Sequence, residues 1–482
     1  MDEPENHPGL TSWAACLIFS ALRTCLGIKI MPIVQEFPEK AEGEMGYRRP
    51  LFRRLLLPAL CLAGMLHLST PLQAQNHNGL PPDLQALVTE SLKANAEVKQ
   101  MRSLHTSSKE TIRSSGALDD PEASFSINNL PTDTWRFYQD DMTQKMFEVT
   151  QKFPFPGKRG LRSEVAEEQS RSDGHVYQDK ANEVRSRVII GYWTLSLACA
   201  NFDLTQKNKQ FWEQVVQVAE TRYSVGQGQQ ADVLQAQVEL GNYLDRLFQW
   251  TQKQESARAD LNALRSQPPR TAIPRPQPMT SRPNYLKLDD LLAQAEARPQ
   301  LQALKALIAK QEKAVELARK EYLPDFTFGV NYALRQNRAD LNRADMVGGK
   351  VMINLPIWHD AKIKPRIREE EAKQNAAKEG HQSASNQLAA LIKDRHAKLQ
   401  RLSQQISLLD QGIIPQARQA TAASLSSYQV GTLDFAQLYQ SQISVYNAEM
   451  QLQEYLKDFE ENWAELEWLV GSELSRRPGG KK

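Results

Sequence analysis

Two periodicities run along this chain, and each occurs twice. Phe326, Phe328, Val330, Tyr332 and Leu334 alternate with Thr327, Gly329, Asn331 and Ala333, and Val351, Ile353, Leu355 and Ile357 repeat the spacing of two. Such alternation gives a strand one apolar face. Phe125 and Ile127, then Phe147, Val149, Phe153 and Phe155, carry the same signal earlier, with Gln151 interrupting. The second periodicity is helical. Leu452, Leu456, Phe459, Trp463, Leu466 and Val470 step by four and three, as do Val184, Val188, Tyr192, Leu195, Cys199 and Phe202, which is the spacing of a coiled-coil seam. The pattern predicts a helix (82–117), two strands, a long helix (158–222) and a returning helix, then the same series with helices at 286–321 and 361–426. At about 1.5 Å per residue each long helix would span about 90–100 Å, unless Gly174, Gly191, Gly380, Gly412 or Pro415 bends it.

The repeated elements are repeated sequence. Residues 223–242 align without gaps on 428–447, with Tyr223/Tyr428, Val225/Val430, Gly226/Gly431, Ala231/Ala436, Gln235/Gln440, Gln237/Gln442 and Asn242/Asn447 identical. Pro121-Glu122-Ala123-Ser124-Phe125 mirrors Pro324-Asp325-Phe326-Thr327-Phe328, and Phe153-Pro154-Phe155 mirrors Leu355-Pro356-Ile357. The predicted organisation is a first copy at 75–266, a proline-rich extended linker at 267–285, a second copy at 286–471 and a disordered basic tail at 472–482. Proline can neither donate to a helix ladder nor continue one, which makes 267–285 a connector.

Before the first copy, Arg48, Arg49, Arg53 and Arg54 precede an apolar core from Leu55 to Leu66 and a cleavage signal at Leu72-Gln73-Ala74. This predicts a signal peptide at 45–74. It makes 1–44 an extension ahead of the true start, with Met45 or Met31 as initiator. Cleavage leaves Cys199 as the sole cysteine, so no intramolecular disulfide is expected. Leu60 is bulky where a lipoprotein signal wants a small residue, which argues against a lipid anchor at Cys61.

Composition narrows the function. With 59 Lys plus Arg against 57 Asp plus Glu the chain lacks the basic balance of a nucleic-acid binder. No apolar run of about 18 residues is expected after residue 75, but a barrel strand escapes that test. Gly157-Lys158-Arg159 lacks the flanking residues of a phosphate loop, no HExxH or GxSxG occurs, and the histidines are scattered. No catalytic residue, cofactor or resident metal site is expected. Four strands cannot close a transmembrane barrel, and open edges cannot face lipid, so a membrane reading requires several chains to pool their strands. Repeat and alternation alone leave a second reading open: a periplasmic coiled-coil scaffold without a pore.

The run Ser427-Tyr428-Gln429-Val430-Gly431-Thr432, with Tyr446-Asn447-Ala448-Glu449, resembles the second hairpin of the TolC family of outer-membrane efflux proteins. Tyr223-Ser224-Val225-Gly226 with Asp232-Val233 resembles its first hairpin. Residues 151–159, Gln-Lys-Phe-Pro-Phe-Pro-Gly-Lys-Arg, resemble the strand-to-helix passage of the heavy-metal branch, with Leu355-Pro356-Ile357-Trp358 as the counterpart in the second copy. The resemblance covers 82–471. It implies a mostly helical chain whose antiparallel helices build an α-barrel, with four strands per chain entering a twelve-stranded β-barrel in the outer membrane. It implies a homotrimer that meets a periplasmic membrane-fusion adaptor and an inner-membrane pump of RND type, and exports solutes passively, heavy-metal cations among them. A type I secretion exit channel is the alternative within that class.

The same resemblance assigns sites. Val225, Gly226, Val430 and Gly431 would form the tip that contacts the adaptor. The family gates this tip through a Tyr, an Asp and an Arg. Tyr428 and Asp232 match the first two, and Leu433 stands at the arginine position, which would leave the lock incomplete. Two aspartates that narrow the pore in the best-known member fall on Gln437 and Gln440, either a polar, weakly charged constriction or hydrogen bonds between packed helices. Pro154, Pro156, Gly157 and Pro356 would mark the strand-to-helix boundaries, because proline ends ladder pairing. Trp135 and Tyr138 would sit at the lipid headgroups or pack on another loop.

Overall fold

The computed structural model describes residues 80–474. The signal peptide, the extension before it and all but the first residues of the tail lie outside the described residues. Each copy opens with two helices rather than one: α1 (Pro82–Ala94) and α2 (Ala96–Ser115) in the first, α5 (Leu288–Ala295) and α6 (Pro299–Lys320) in the second. Asn95 makes the first break. Its side chain accepts from the backbone N–H groups of Glu97 and Val98 at 2.9 and 3.2 Å, capping α2, while its amide donates to Leu264 O at 2.9 Å. Pro299 makes the second break, since it occupies the first turn of α6 and disfavours helical backbone at Arg298.

The strands β1 (Glu122–Asn128), β2 (Gln144–Phe153), β3 (Phe326–Leu334) and β4 (Met346–Ile353) form one antiparallel sheet in sequence order. Phe155, Leu355 and Ile357 fall just past the strand ends. The register aligns Phe125, Phe147, Tyr332 and Val347 across the sheet, and Val149 with Val330 in the next row of the same face. These side chains are all exposed, Val347 to 74%. The opposite face aligns Ser124, Glu148 and Asn331, and carries an ion pair of Lys350 with Glu148 at 2.9 Å. A single chain therefore shows water a sheet with one apolar face and two unpaired edges, β1 and β4.

Helix α3 (Lys158–Ser224) runs 67 residues without interruption, about 100 Å at the standard rise. Gly174 and Gly191 do not interrupt it; a Cβ at Gly191 would lie 2.9 Å from the Leu261 side chain, so the glycine admits a close approach of α4 (Gln230–Leu264). In the second copy the corresponding helix is divided into a π-helical turn at His359–Ile363, α7 (Lys364–Leu408), a second π turn at Leu409–Ile413 and α8 (Ile414–Gln429), before α9 (Phe435–Val470) returns. Pro415 lies in the first turn of α8, where its missing N–H breaks the regular ladder.

The two seams meet in one core: Val184, Val188, Tyr192, Leu195 and Cys199 of α3 pack with Leu456, Phe459, Trp463, Leu466 and Val470 of α9. One stretch of α3 is, against expectation, long and apolar enough to cross a membrane, but 56% of that window is buried inside the chain. Its apolar residues are spent on the helix seam. A second core nearer the turns holds Trp212, Val215, Ala236, Tyr243, Tyr428, Phe435, Leu438 and Tyr446. The α3–α9 contact also carries a polar layer, in which Gln442 donates to Asn208 at 2.6 Å and Thr205 Oγ1 lies 3.1 Å from the Tyr446 hydroxyl. The connector between the copies has no regular structure from 271 to 287 and is held along its length. Ile273 and Met279 are buried, Ser196 donates to Gln277 O, and Gln277 N–H donates to the Tyr192 hydroxyl, both at 2.9 Å.

Candidate functional site

The two helical turns close in the same way. After α3, Val225 N–H donates to Thr221 O (3.2 Å), Gly226 N–H to Tyr223 O (3.0 Å) and Gln227 N–H to Arg222 O (2.8 Å). After α8, the bonds are Val430 to Ser426 (3.3 Å), Gly431 to Tyr428 (3.1 Å) and Thr432 to Ser427 (2.9 Å). Gly226 and Gly431 have φ of 75° and 83°, the left-handed conformation that ends a helix and that only glycine adopts freely. The cap lifts the preceding valines into solvent, Val225 62% and Val430 75% exposed.

Beneath the turns the symmetry ends. Tyr428 is buried in the second core, its ring edge-on to Phe435 with centroids 6.0 Å apart. Its hydroxyl donates to Asp232 Oδ2 over a long 3.3 Å. Leu433 is half-buried and offers no polar group, yet a guanidinium does reach Tyr428. Arg222, the last basic residue of α3, lies 4.5 Å over the ring and donates to Tyr428 O at 2.7 Å and to Gln227 O at 3.0 Å. Burial first, then the Asp232 charge, push the Tyr428 phenol up to about 12 against the opposing pull of Arg222. Tyrosine, aspartate and arginine thus meet, with the arginine supplied by the first copy.

Gln437 and Gln440 are exposed, and within the chain their side-chain amides bond to no described residue. A helix-to-helix bond, the alternative considered for them, is made instead by Gln442, two turns into α9. Pairing by sequence offset missed Arg222, because its counterpart is Ser427. The available signal was a lone cation beside the repeated Tyr-x-Val-Gly.

At the strand-to-helix boundary Pro154 is buried and Gly157, at φ 90°, is the N-cap of α3. Neither Pro154 nor Pro156 enters the helix; both lie in the passage before it. The residue that ties this passage down is Asp325, from the second copy. Its Oδ1 accepts from Phe155 N–H at 3.0 Å and Lys158 Nζ at 2.8 Å, while Lys158 also donates to Leu323 O at 2.7 Å. Burial works against the Asp325 charge, but Lys158 and the Phe155 N–H outweigh it and hold the carboxyl below its ordinary range. Pro356 precedes the first π turn and is half-buried. Among the described residues no group of three or more His, Cys, Asp or Glu side chains could hold a metal ion.

Comparison with known proteins gives a consistent result. The family model described as outer membrane efflux protein matches residues 82–265 and 291–472, one match per copy. The cobalt-zinc-cadmium resistance protein CzcC of Cupriavidus metallidurans is 24% identical over 294 residues, which are 61% of this chain and 68% of CzcC. Among solved structures, the outer-membrane channel OprN superposes with a TM-score of 0.70 at 16% identity over 81% of this chain and 90% of its own. CusC gives 0.69 at 16% identity over 81% and 92%. The CmeC outer-membrane channel of Campylobacter jejuni gives 0.69 at 14% identity over 83% and 87%.

Proposed function

The chain belongs to the outer membrane efflux protein family, which places it in the outer membrane with a periplasmic extension, and on that premise we propose that it is the exit duct of a tripartite efflux system. Three chains pool their four strands into a twelve-stranded barrel, and the long helices continue the passage into the periplasm. The observation that carries this is the sheet of a single chain. An exposed apolar face, an opposite polar face and two open edges are unstable in water or lipid alone, and all three are resolved when β4 of one chain pairs with β1 of the next chain. The pore-less scaffold has no use for such a face.

The cargo we propose is metal cations, supported by the similarity to a cobalt-zinc-cadmium resistance protein. The duct passes them without a resident site; selection belongs to the pump. Val225-Gly226 and Val430-Gly431 form the adaptor contact, because they present apolar side chains beside backbone that a partner can approach closely. Tyr428, Asp232 and Arg222 hold the tip closed, Leu433 adds no charge to the lock, and Gln437 and Gln440 line a polar constriction.

Detergent-extracted protein should run as a trimer and conduct ions in planar bilayers, and its loss should sensitise cells to cobalt, zinc or cadmium. Val225→Cys and Val430→Cys, in a mature chain whose own Cys199 is buried, should cross-link in vivo to a periplasmic adaptor. A freely soluble, non-conducting monomer would sink the duct. Conduction without any adaptor captured from either position would sink the tip assignment alone.

A further inference from the structure

We propose that the rim of the sheet's outward face, at the end of the strands away from the helices, carries a site for the phosphate of an outer-leaflet glycolipid, built by Lys145 on that face and Arg335 just past the end of β3. This rests on the barrel reading for the direction of the face. Lys145 lies in the register row of Ile127 and Leu334, on the same face as Phe147, Val149 and Tyr332. It is a cation at the rim of the apolar band. Its ammonium sits 4.3 Å over the Phe137 ring, and no described carboxylate pairs with it. Arg335 comes just past the end of β3, beyond the alternating residues, and donates from its guanidinium to the backbone O of Asp141 at 2.6 Å, so the cavity at the strand ends, not the strand face, brings it beside Lys145. The two cations, with Phe137, Thr143 and Leu334, line a cavity of about 200 Å³. At roughly 30 Å³ per water that is room for a phosphate and some of its hydration.

The nearby carboxylates are occupied. Asp345 accepts from the Tyr332 hydroxyl at 2.6 Å and from Arg335 N–H at 3.0 Å, and Asp141 pairs with the buried Arg343. Both cations thus keep donors for an incoming anion, in surroundings that are apolar on the membrane side. A free cation beside aromatic and aliphatic groups suits an amphiphile with an anionic head and acyl chains, rather than a small solute anion. The loop above supplies independent support. Trp135 is 68% exposed on a backbone at φ 52°, and Arg136 lies 5.9 Å over Tyr138. Exposed Trp and Tyr beside an arginine are the groups that settle at headgroup level. Strands β2 and β3 are the inner strands of the sheet, so a single chain supplies both cations.

The test is titration of the detergent-solubilised full protein with lipid A bearing both phosphates, with the dephosphorylated lipid and with inorganic phosphate, read by native mass spectrometry. The diphosphorylated lipid should stay bound, and Lys145→Gln with Arg335→Gln should weaken it at least tenfold. Lys145→Arg, which keeps the charge, should retain binding and also shows that the position tolerates change. Equal binding of phosphorylated and dephosphorylated lipid, or of wild type and the double variant, would overturn the site. Competition by millimolar inorganic phosphate would overturn the lipid as occupant. Wild-type conductance in planar bilayers tests the duct separately, so failure of one can be told from failure of the other.

Discussion

The two helical turns share a backbone and differ in almost everything beneath it. Gly226 and Gly431 cap their helices with matching hydrogen bonds. Yet Tyr428 is buried under Arg222 and beside Asp232, whereas its counterpart Tyr223 is 50% exposed. The counterparts of the other two partners, Ser427 for Arg222 and Gln437 for Asp232, carry no charge. The cap is a local requirement that duplication preserves. The polar cluster is assembled from both copies, so one chain makes one cluster instead of two, and a trimer would hold three. The long helices diverge in the same sense. The offset between copies is 202 at Pro154/Pro356 and 205 at Tyr223/Tyr428, so the second copy has gained residues between sheet and turn. A turn closed over five residues holds one more than a regular turn, and the two π turns absorb part of that gain while α3 stays regular.

The largest expected effect tests whether burial separates the two tyrosines. Tyr428→Ala removes a fully buried ring and should destabilise the solubilised protein by about 3 kcal/mol or more. Tyr223→Ala should cost less than about 0.5 kcal/mol. Thermal melts of the two variants side by side decide it, and similar losses would end the asymmetry argument. Next, Arg222→Ala should cost about 1–2 kcal/mol, the worth of a ring contact and two backbone acceptors. It should also raise single-channel conductance several-fold by loosening the tip. Arg222→Lys should restore little, since one ammonium cannot stack and fork as a guanidinium does.

These sites show which features were legible in the sequence. The strands were, because alternation is read residue by residue, and β3 spans the residues that alternate. The capping glycines were too, because positive φ is a demand on single positions. The break at Asn95 was hidden: its side chain caps the second helix locally, but part of what holds that side chain is a bond to Leu264, 169 residues away. Arg222 was missed for a related reason. Alignment of the copies compares like with like, while this side chain crosses from one copy to the other, 206 residues on, to a backbone oxygen that no sequence pattern marks. Asp325 crosses in the opposite direction to Phe155 and Lys158. What duplication repeats can be read twice; what joins the copies is written only once, and far apart.

Smaller substitutions refine the comparison. Gly226→Ala and Gly431→Ala both force a side chain into positive φ and should each cost about 1 kcal/mol. Gly431 should be the costlier, because a Cβ there would meet Arg222 Nη2 at 3.4 Å while the space at Gly226 is open. Equal losses would show that the guanidinium yields freely and does not grip the second turn.

The smallest expected effect isolates the Tyr428 hydroxyl. Tyr428→Phe keeps the ring, the burial and the Arg222 contact, and gives up a 3.3 Å bond to Asp232, so it should cost less than about 1 kcal/mol at neutral pH. Alkali amplifies the difference. The phenol titrates at about 12 in the folded chain and near 10 when unfolded. The neutral hydroxyl is thus favoured by folding below pH 10, and that advantage drains away between about pH 10 and 12 as the unfolded chain ionises first. Wild-type protein should lose stability over this window more steeply than the phenylalanine variant. Parallel profiles would mean that the hydroxyl reaches water at the tip, and that ring burial and the arginine alone distinguish the two turns.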